Sequence, residues 1–369
     1  MKIVFICGSA QPGKDGVGDY VRLLASELIL QGNDVVLLAL NDAFVSEESK
    51  STQYEEDVHI SVIRLPRSLD WKTKGVKVNA FIKSFNPDWV SLQYVPYSFH
   101  KKGIPTGFAS MLHEIKADVR WHIMFHEIWI GISTVSPFKH KIIGFFQRQV
   151  AKRIVKTLQP RLITVSNVLY QLVAESAGIK AKILPLFSNI RKSPPNLEYV
   201  KTVYQKLGVP EGQEDKWMLL GIFGTLYPQA RLEDLLVDLV KNNPNKEIGF
   251  ISFGRIGDYG INEIKRLEEL FKGKINFVVL GLLSPAEVST VMQLLSVAIS
   301  CTPQQHIGKS GVYSALKYHN VKVEVPVNEY LPDYSDRIMP YYKEYVNKPA
   351  EEFGVKYIAN KYIELLKTL

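Results

Sequence analysis

The first thirty-one residues constrain the fold more than any other stretch. Lys2–Cys7 reads KIVFIC, a short apolar run rich in β-branched residues, and predicts a strand. Residues 8–18, GSAQPGKDGVG, form a turn carrying Gly8, Gly13, Gly16 and Gly18. Asp19–Leu30 then places Tyr20, Leu23, Leu24 and Leu28 at three- and four-residue spacing, the period of an amphipathic helix. Strand, glycine-rich turn and helix together open a Rossmann-like half. Glycines let backbone N–H groups approach a ligand without a Cβ in the way. The helix start behind them is expected to offer unpaired N–H donors and partial positive charge to phosphate or sugar oxygens.

Spacing argues against a dinucleotide cofactor. That fingerprint needs G-x-G-x-x-G directly after the strand and an acidic residue at the end of the second. Here the later glycines come too far beyond Gly8, and the second strand, Asp34–Leu40, is read as ending in neutral residues before Asn41.

The remainder alternates in the same way. Strands are read at 58–63, 89–93, 119–125, 162–165 and 183–186, with helices at 74–85, 107–116, 138–158 and 168–177 between them. Pro194-Pro195 marks a linker, since paired prolines fit neither helix nor sheet interior. A second series follows, with strands at 217–223, 248–253, 275–280, 297–300 and 321–325 and a closing helix at 350–366. The chain is therefore expected to be α/β, with two Rossmann-like doubly wound parallel-sheet domains facing a cleft. Their expected spans are 1–190 and 191–349, with the 350–369 helix packing back on the first.

Composition removes several classes. Cys7 and Cys301 fall in different expected domains, which suits a reduced, cytoplasmic protein without disulfides. The opening apolar run is too short for a signal peptide, and no stretch reaches the length of a membrane span. The net charge of +8 points to anionic partners. No D-x-D occurs, and no histidine pair is read at metal-ligand spacing, so no metal is expected. Nucleic acid lacks a reader motif and ranks last.

Two loops carry the chemistry. His126 follows a strand and begins HEIWIG; such a histidine can donate a hydrogen bond to a sugar hydroxyl or shuttle a proton near neutral pH, and Glu127 is the weaker candidate beside it. In Thr302–Gly311, TPQQHIGKSG, Lys309 and Ser310 stand at a helix start between Gly308 and Gly311, a set suited to a diphosphate. Pro303 occupies the place of the first P-loop glycine, so an NTPase is disfavoured. Arg231 and Arg255 follow two second-domain strands and can supply cations.

The phrase Gly16-Val17-Gly18-Asp19-Tyr20, followed by LLASEL, resembles the start of GT-B retaining glycosyltransferases of family 4. That resemblance implies a nucleotide-sugar donor as substrate, no cofactor, and a glycan or lipid-linked acceptor, in bacterial cell-surface glycan or glycolipid synthesis. It places residues 16–20 between acceptor and leaving group, and His126 against the transferred sugar. It also exposes a departure. The family carries two glutamates in E-x7-E across the second-domain loop; Ser314 stands at the second, and His306 or Gln305 at the first. A sub-branch with a Lys-Ser-Gly type loop is closer. Two rivals stay open: a GT-B-shaped binding protein without catalysis, and a nucleotide-sugar epimerase.

One electrostatic feature remains. Residues 128–174 contain no acidic side chain but hold Lys139, Lys141, Arg148, Lys152, Arg153, Lys156 and Arg161. Ile142, Phe146, Val150, Ile154 and Leu158 repeat at four within Phe138–Leu158. A basic amphipathic helix of this kind suits either packing on a sheet or peripheral contact with anionic lipid on the inner membrane face.

Overall fold

A computed structural model describes residues 1–133, 136–227, 230–326 and 335–369. The chain divides into two compact units. The first holds Met1–Pro185 and Val355–Leu369; the second runs from Leu186 and includes Met339–Gly354.

In the first unit, β1 (Lys2–Cys7), α1 (Gly16–Leu30), β2 (Asp34–Asp42), β3 (Ser49–Glu55), β4 (Val58–Pro66) and α2 (Trp71–Phe85) come in order. They are followed by β5 (Trp89–Tyr94), the single turn α3 (Pro96–Phe99), α4 (Phe108–His113), β6 (Arg120–Phe125), α5 (Phe138–Leu158), β7 (Leu162–Val165), α6 (Val168–Ser176) and β8 (Lys182–Ile183). The sheet order is β3-β4-β2-β1-β5-β6-β7-β8, parallel except for the β3–β4 hairpin. Its central strands are covered on both faces, which is why β1 and β5 are buried almost throughout. The strand order reverses between β1 and β5, so the crevice beyond their C-terminal ends is the place where such a sheet holds ligands.

The second unit contains α7 (Leu197–Leu207), β9 (Trp217–Phe223), α8 (Leu232–Asn242), β10 (Glu247–Phe253), α9 (Gly257–Leu270), β11 (Asn276–Gly281), α10 (Pro285–Leu294), β12 (Val297–Ile299), α11 (Gly311–Tyr318) and β13 (Lys322–Glu324). Its parallel sheet has the order β11-β10-β9-β12-β13, with the switch between β9 and β12. Then come α12 (Ser335–Val346) and α13 (Val355–Lys367).

Several bounds depart from the sequence reading. The first helix begins at Gly16, not Asp19, because the Asp15 side chain caps it. β2 continues through Asn41 and Asp42, where the apolar run has ended. Asp42 can be buried there because it accepts from Arg64 Nε at 2.7 Å and from the Ala10 N–H at 3.1 Å. Burial alone would raise its pKa; the Arg64 hydrogen bond and the Phe44 and Ala10 N–H groups pull it below the usual range. The edge strand β3, SKSTQYE, was missed because it shows no apolar alternation, and α12 was missed because it contains Pro340. The last helix starts at Val355; residues 350–353 form a separate 3-10 turn whose Phe353 carbonyl accepts from the Ser188 N–H.

Candidate functional site

The first unit gathers candidate groups beyond β1, β5 and β6. The chain leaves β1 at Gly8, where a Cβ would lie 2.6 Å from the Ser98 Cβ within α3. Gly18 lies against the same turn, since a Cβ there would sit 2.4 Å from the Ser9 carbonyl oxygen. These glycines therefore serve close backbone packing. The helix start is not a set of vacant donors. The Gly18 N–H donates to Asp15 Oδ1 at 2.7 Å, and the Gly13 N–H to Asp19 Oδ1 at 2.9 Å. Burial raises the Asp15 pKa despite the Gly18 and Val17 N–H groups, and the charges of Asp19 and Asp42 push the same way. A phosphate at this turn would meet the carboxylates of Asp15 and Asp19. A carboxylate beside a helix start suits a hydroxyl group, which can donate to it.

His126 sits immediately after β6 and is only 8% exposed. Tyr20 meets its ring edge-on at 4.8 Å between centroids, so α1 and the β6 loop bring these two candidates together. A chain of side chains runs back from His126 into the sheet. His126 Nε2 lies 2.8 Å from Gln93 Oε1, and Gln93 Nε2 donates to Ser91 Oγ at 2.7 Å. Ser91 Oγ is 2.7 Å from His122 Nδ1, and His122 Nε2 is 2.8 Å from Thr164 Oγ1. The Thr164 hydroxyl finally donates to Met124 Sδ.

Because Gln93 Oε1 only accepts, His126 must donate to it from Nε2. Nδ1 then carries the lone pair. Burial pushes both imidazoles down to about 3, so each is neutral near pH 7. His126 is thus set up to accept a hydrogen bond through Nδ1, not to donate one, and it is a weak base. His122 escaped the sequence reading, which passed over the HIMFH spacing. On a strand, residues four apart share a face, and that signal could have found it. Three of the four ring nitrogens of His122 and His126 meet Ser91, Thr164 and Gln93. Glu127, next in sequence, is exposed.

In the second unit the loops after β9, β10 and β12 converge. Gly224 and Gly254 adopt φ of +84° and +83°, and the Gly224 N–H donates to the Phe253 carbonyl. A Cβ on Gly224 would lie 3.8 Å from Val312 Cγ2, which places the β9 turn beside the first turn of α11. Ser310 caps that helix: its Oγ accepts from the Tyr313 N–H at 3.1 Å and from Thr302 Oγ1 at 3.0 Å. Its own hydroxyl proton remains for a further acceptor. Lys309 precedes it at the end of a 3-10 turn, Gln304–Lys309, and Gly311 leaves the approach open, with Asn189 Oδ1 the nearest neighbour of a Cβ there, at 3.9 Å. Gln305 is buried; burial, then the Lys309 charge, pushes His306 down to about 4.

Three other candidates lie in the same unit. Ser314 is fully buried and its hydroxyl donates to the Leu186 carbonyl at 3.2 Å, so the place of the second family glutamate is filled by a core contact. Arg231 is exposed and pairs with Asp234 one turn on. Arg255 is exposed at the end of β10, and its carbonyl accepts from the Thr225 hydroxyl at 3.3 Å.

No family model matches the chain, and no curated protein matches it in sequence. Solved structures do match in shape. HepE from Anabaena, in complex with UDP and glucose, aligns with a TM-score of 0.55 at 14% identity over 100% of both chains. Sucrose-phosphate synthase from Thermosynechococcus elongatus aligns at 0.56 and 14% identity, over 100% of this chain and 94% of that one. A glycosyltransferase from Rickettsia africae aligns at 0.58 and 13% identity, over 100% and 98%. The fold is accordingly that of the two-domain GT-B glycosyltransferases.

Proposed function

We propose that this chain is a glycosyltransferase that moves a sugar from a nucleotide-diphosphate donor to a hydroxyl acceptor. The observation that carries the reading is the start of α11. A lysine, a hydroxyl proton and the first-turn N–H groups stand together at the switch point of a parallel sheet, beside a glycine turn that leaves room for a ligand. In glycosyl transfer, negative charge develops on the departing diphosphate while the sugar becomes oxocarbenium-like. Groups that meet that charge lower the barrier. Lys309, Ser310 and Gly311 would do so, with Arg255 free to swing and Arg231 available once it leaves Asp234. His126 would fix a sugar hydroxyl through Nδ1, and Asp15, Asp19 and Tyr20 would border the acceptor. Retention of configuration, family 4 membership and a role in bacterial surface glycan assembly belong to the same proposal.

The test is nucleotide binding. A nucleoside diphosphate is expected to raise the melting temperature without added metal, because a ligand that binds only the native state stabilises it. Lys309→Ala should weaken that binding roughly tenfold or more, the worth of a charge-assisted contact to phosphate. No shift with UDP, GDP, ADP or TDP at saturating concentration would remove the donor site. Unchanged affinity in the variant would remove Lys309 from the donor site.

A peripheral membrane contact is the second element of the proposal. Among the described residues no helix is long and apolar enough to cross a bilayer. On α5, Gly144, Gln147, Ala151, Ile154 and Leu158 face the protein. The four-residue stripe expected from the sequence therefore splits: Ile154 and Leu158 are core, whereas Ile142 and Phe146 are exposed. Phe138 and Phe145 are exposed with them, Phe138 by 78%, among Lys139, Lys141 and Arg148. Exposed aromatics ringed by cations suit an anionic lipid surface, each cation contributing on the order of 1 kcal/mol. Anionic vesicles should sediment the protein at low salt, and neutral ones should not. Phe145→Ser with Phe146→Ser should abolish co-sedimentation; retention by the double variant would assign the contact elsewhere.

A further inference from the structure

The first unit contains a cavity of about 450 Å³ outside the His126 site. It opens at the C-terminal ends of the strands, between Asn41 of β2, Arg67 just beyond β4, the first turn of α2 and the segment following β5. Its charged lining is three cations, Arg67, Lys74 and Lys101, against one carboxylate, Asp70. That carboxylate is already engaged as the cap of α2: it accepts from the Thr73 N–H at 3.0 Å and from the Thr73 hydroxyl at 2.6 Å.

Lys74 is the unusual member. It is 1% exposed, yet among the described residues no carboxylate pairs with it. Its Nζ lies 4.5 Å from the centre of the Trp71 ring and donates one long hydrogen bond, 3.4 Å, to Asn41 Oδ1. Asn41 is oriented for this, since its Nδ2 donates to the Ser98 carbonyl at 2.9 Å. An ammonium has three donors, and a buried charge with a single neutral acceptor is costly. Burial, and then the charge of Arg67, lower its pKa to about 8, against the charge of Asp70, which raises it. The remaining wall is Leu69, His100 and three aromatic rings, Trp71, Phe99 and the half-exposed Tyr97, of which exposed ring faces can stack on the C–H faces of a sugar.

We infer that this cavity binds the phosphoryl group of a sugar phosphate, with Lys74 as the buried counter-charge, Arg67 and Lys101 as exposed partners, and Trp71 and Tyr97 against the ring. Under the transferase reading, this ligand is the acceptor. The binding site itself does not depend on that reading. The same chemistry can come from a soluble sugar phosphate or from a phosphorylated sugar-like lipid headgroup.

The experiment is a set of thermal melts on the full chain with glucose 6-phosphate, glucose and UDP, with sedimentation on phosphatidylinositol vesicles as the lipid arm. Glucose 6-phosphate should raise the melting temperature where glucose at equal concentration does not; in its place, binding of the Phe145→Ser, Phe146→Ser variant to phosphatidylinositol vesicles, lost on adding Lys74→Met, would assign the lipid source. Lys74→Met should raise the melting temperature of the free protein, because it relieves a buried charge, and weaken the phosphate-bearing ligand at least tenfold. Arg67→Ala with Lys101→Ala, both at exposed positions, should weaken it as well and covers the case where Lys74→Met fails to fold. Full retention of the response in these variants overturns the site. So does a protein that responds to UDP but to neither phosphate-bearing ligand, an outcome that leaves the transferase proposal standing.

Discussion

Between pH 7 and pH 5 the first unit is expected to lose roughly 2 kcal/mol of stability for each of His122 and His126. Both imidazoles are buried and held neutral, with pKa values lowered to about 3. In the unfolded chain each returns to about 6.5. Below that value the unfolded state binds protons that the folded state refuses, so stability rises with pH there. The stabilisation of the neutral form is therefore complete above pH 6.5 and is lost progressively as the pH falls toward 3. Calorimetric melts from pH 8 to pH 5 should show the first unit's transition moving down steeply below pH 6.5. His122→Gln, which can still meet Ser91 and Thr164, should remove about half of that slope. A wild-type transition that stays level from pH 7 to pH 5 would mean that these rings take up protons in the folded state, and that the side-chain chain described here is open to water.

The architecture was legible because it is written in apolar periodicity. KIVFIC, WVSLQY and WMLLGIF can only be buried strands, and the helices between them show their core faces at helical spacing. What escaped was carried by polar residues whose meaning depends on a partner distant in sequence. Asn41 and Asp42 look like the end of a strand until Arg64 and the Ala10 N–H are beside them. Ser91, Gln93 and Thr164 are unremarkable singly, and become a connected set only when β5, β6 and β7 lie in register. In the sequence Lys74 is only the first residue of the 74–85 helix; its contacts with Trp71 and Asn41 appear only in the fold. The glycine turn shows the converse. Its residue types matched a ligand-binding loop, but the structure gives Gly8 and Gly18 to backbone packing and fills the helix start with Asp15.

Replacing His126 by alanine is expected to lower turnover about a hundredfold or more while leaving nucleotide affinity within a few-fold of wild type. The separation follows from place: the nucleotide contacts proposed above all lie in the second unit, whereas His126 belongs to the first. The size follows from what the ring supplies. Its Nε2–H is committed to Gln93, which leaves the lone pair on Nδ1, with Tyr20 packed against the ring to hold it. An acceptor held in this way positions a substrate hydroxyl before reaction, and misplacement by about 1 Å can cost a hundredfold in rate. Because burial keeps the ring neutral to about pH 3, the pH profile of turnover should show no limb from this residue between pH 5 and pH 8, apart from loss of fold. Gln93→Leu makes the sharper test. It removes the acceptor for Nε2–H without touching His126, freeing the ring to change tautomer. Turnover should then fall by a smaller factor, with the nucleotide KM unchanged. If His126→Ala keeps full transfer activity, the ring is a packing element beside Tyr20. If Gln93→Leu matches wild type while His126→Ala does not, the tautomer is fixed by the substrate instead of by β5.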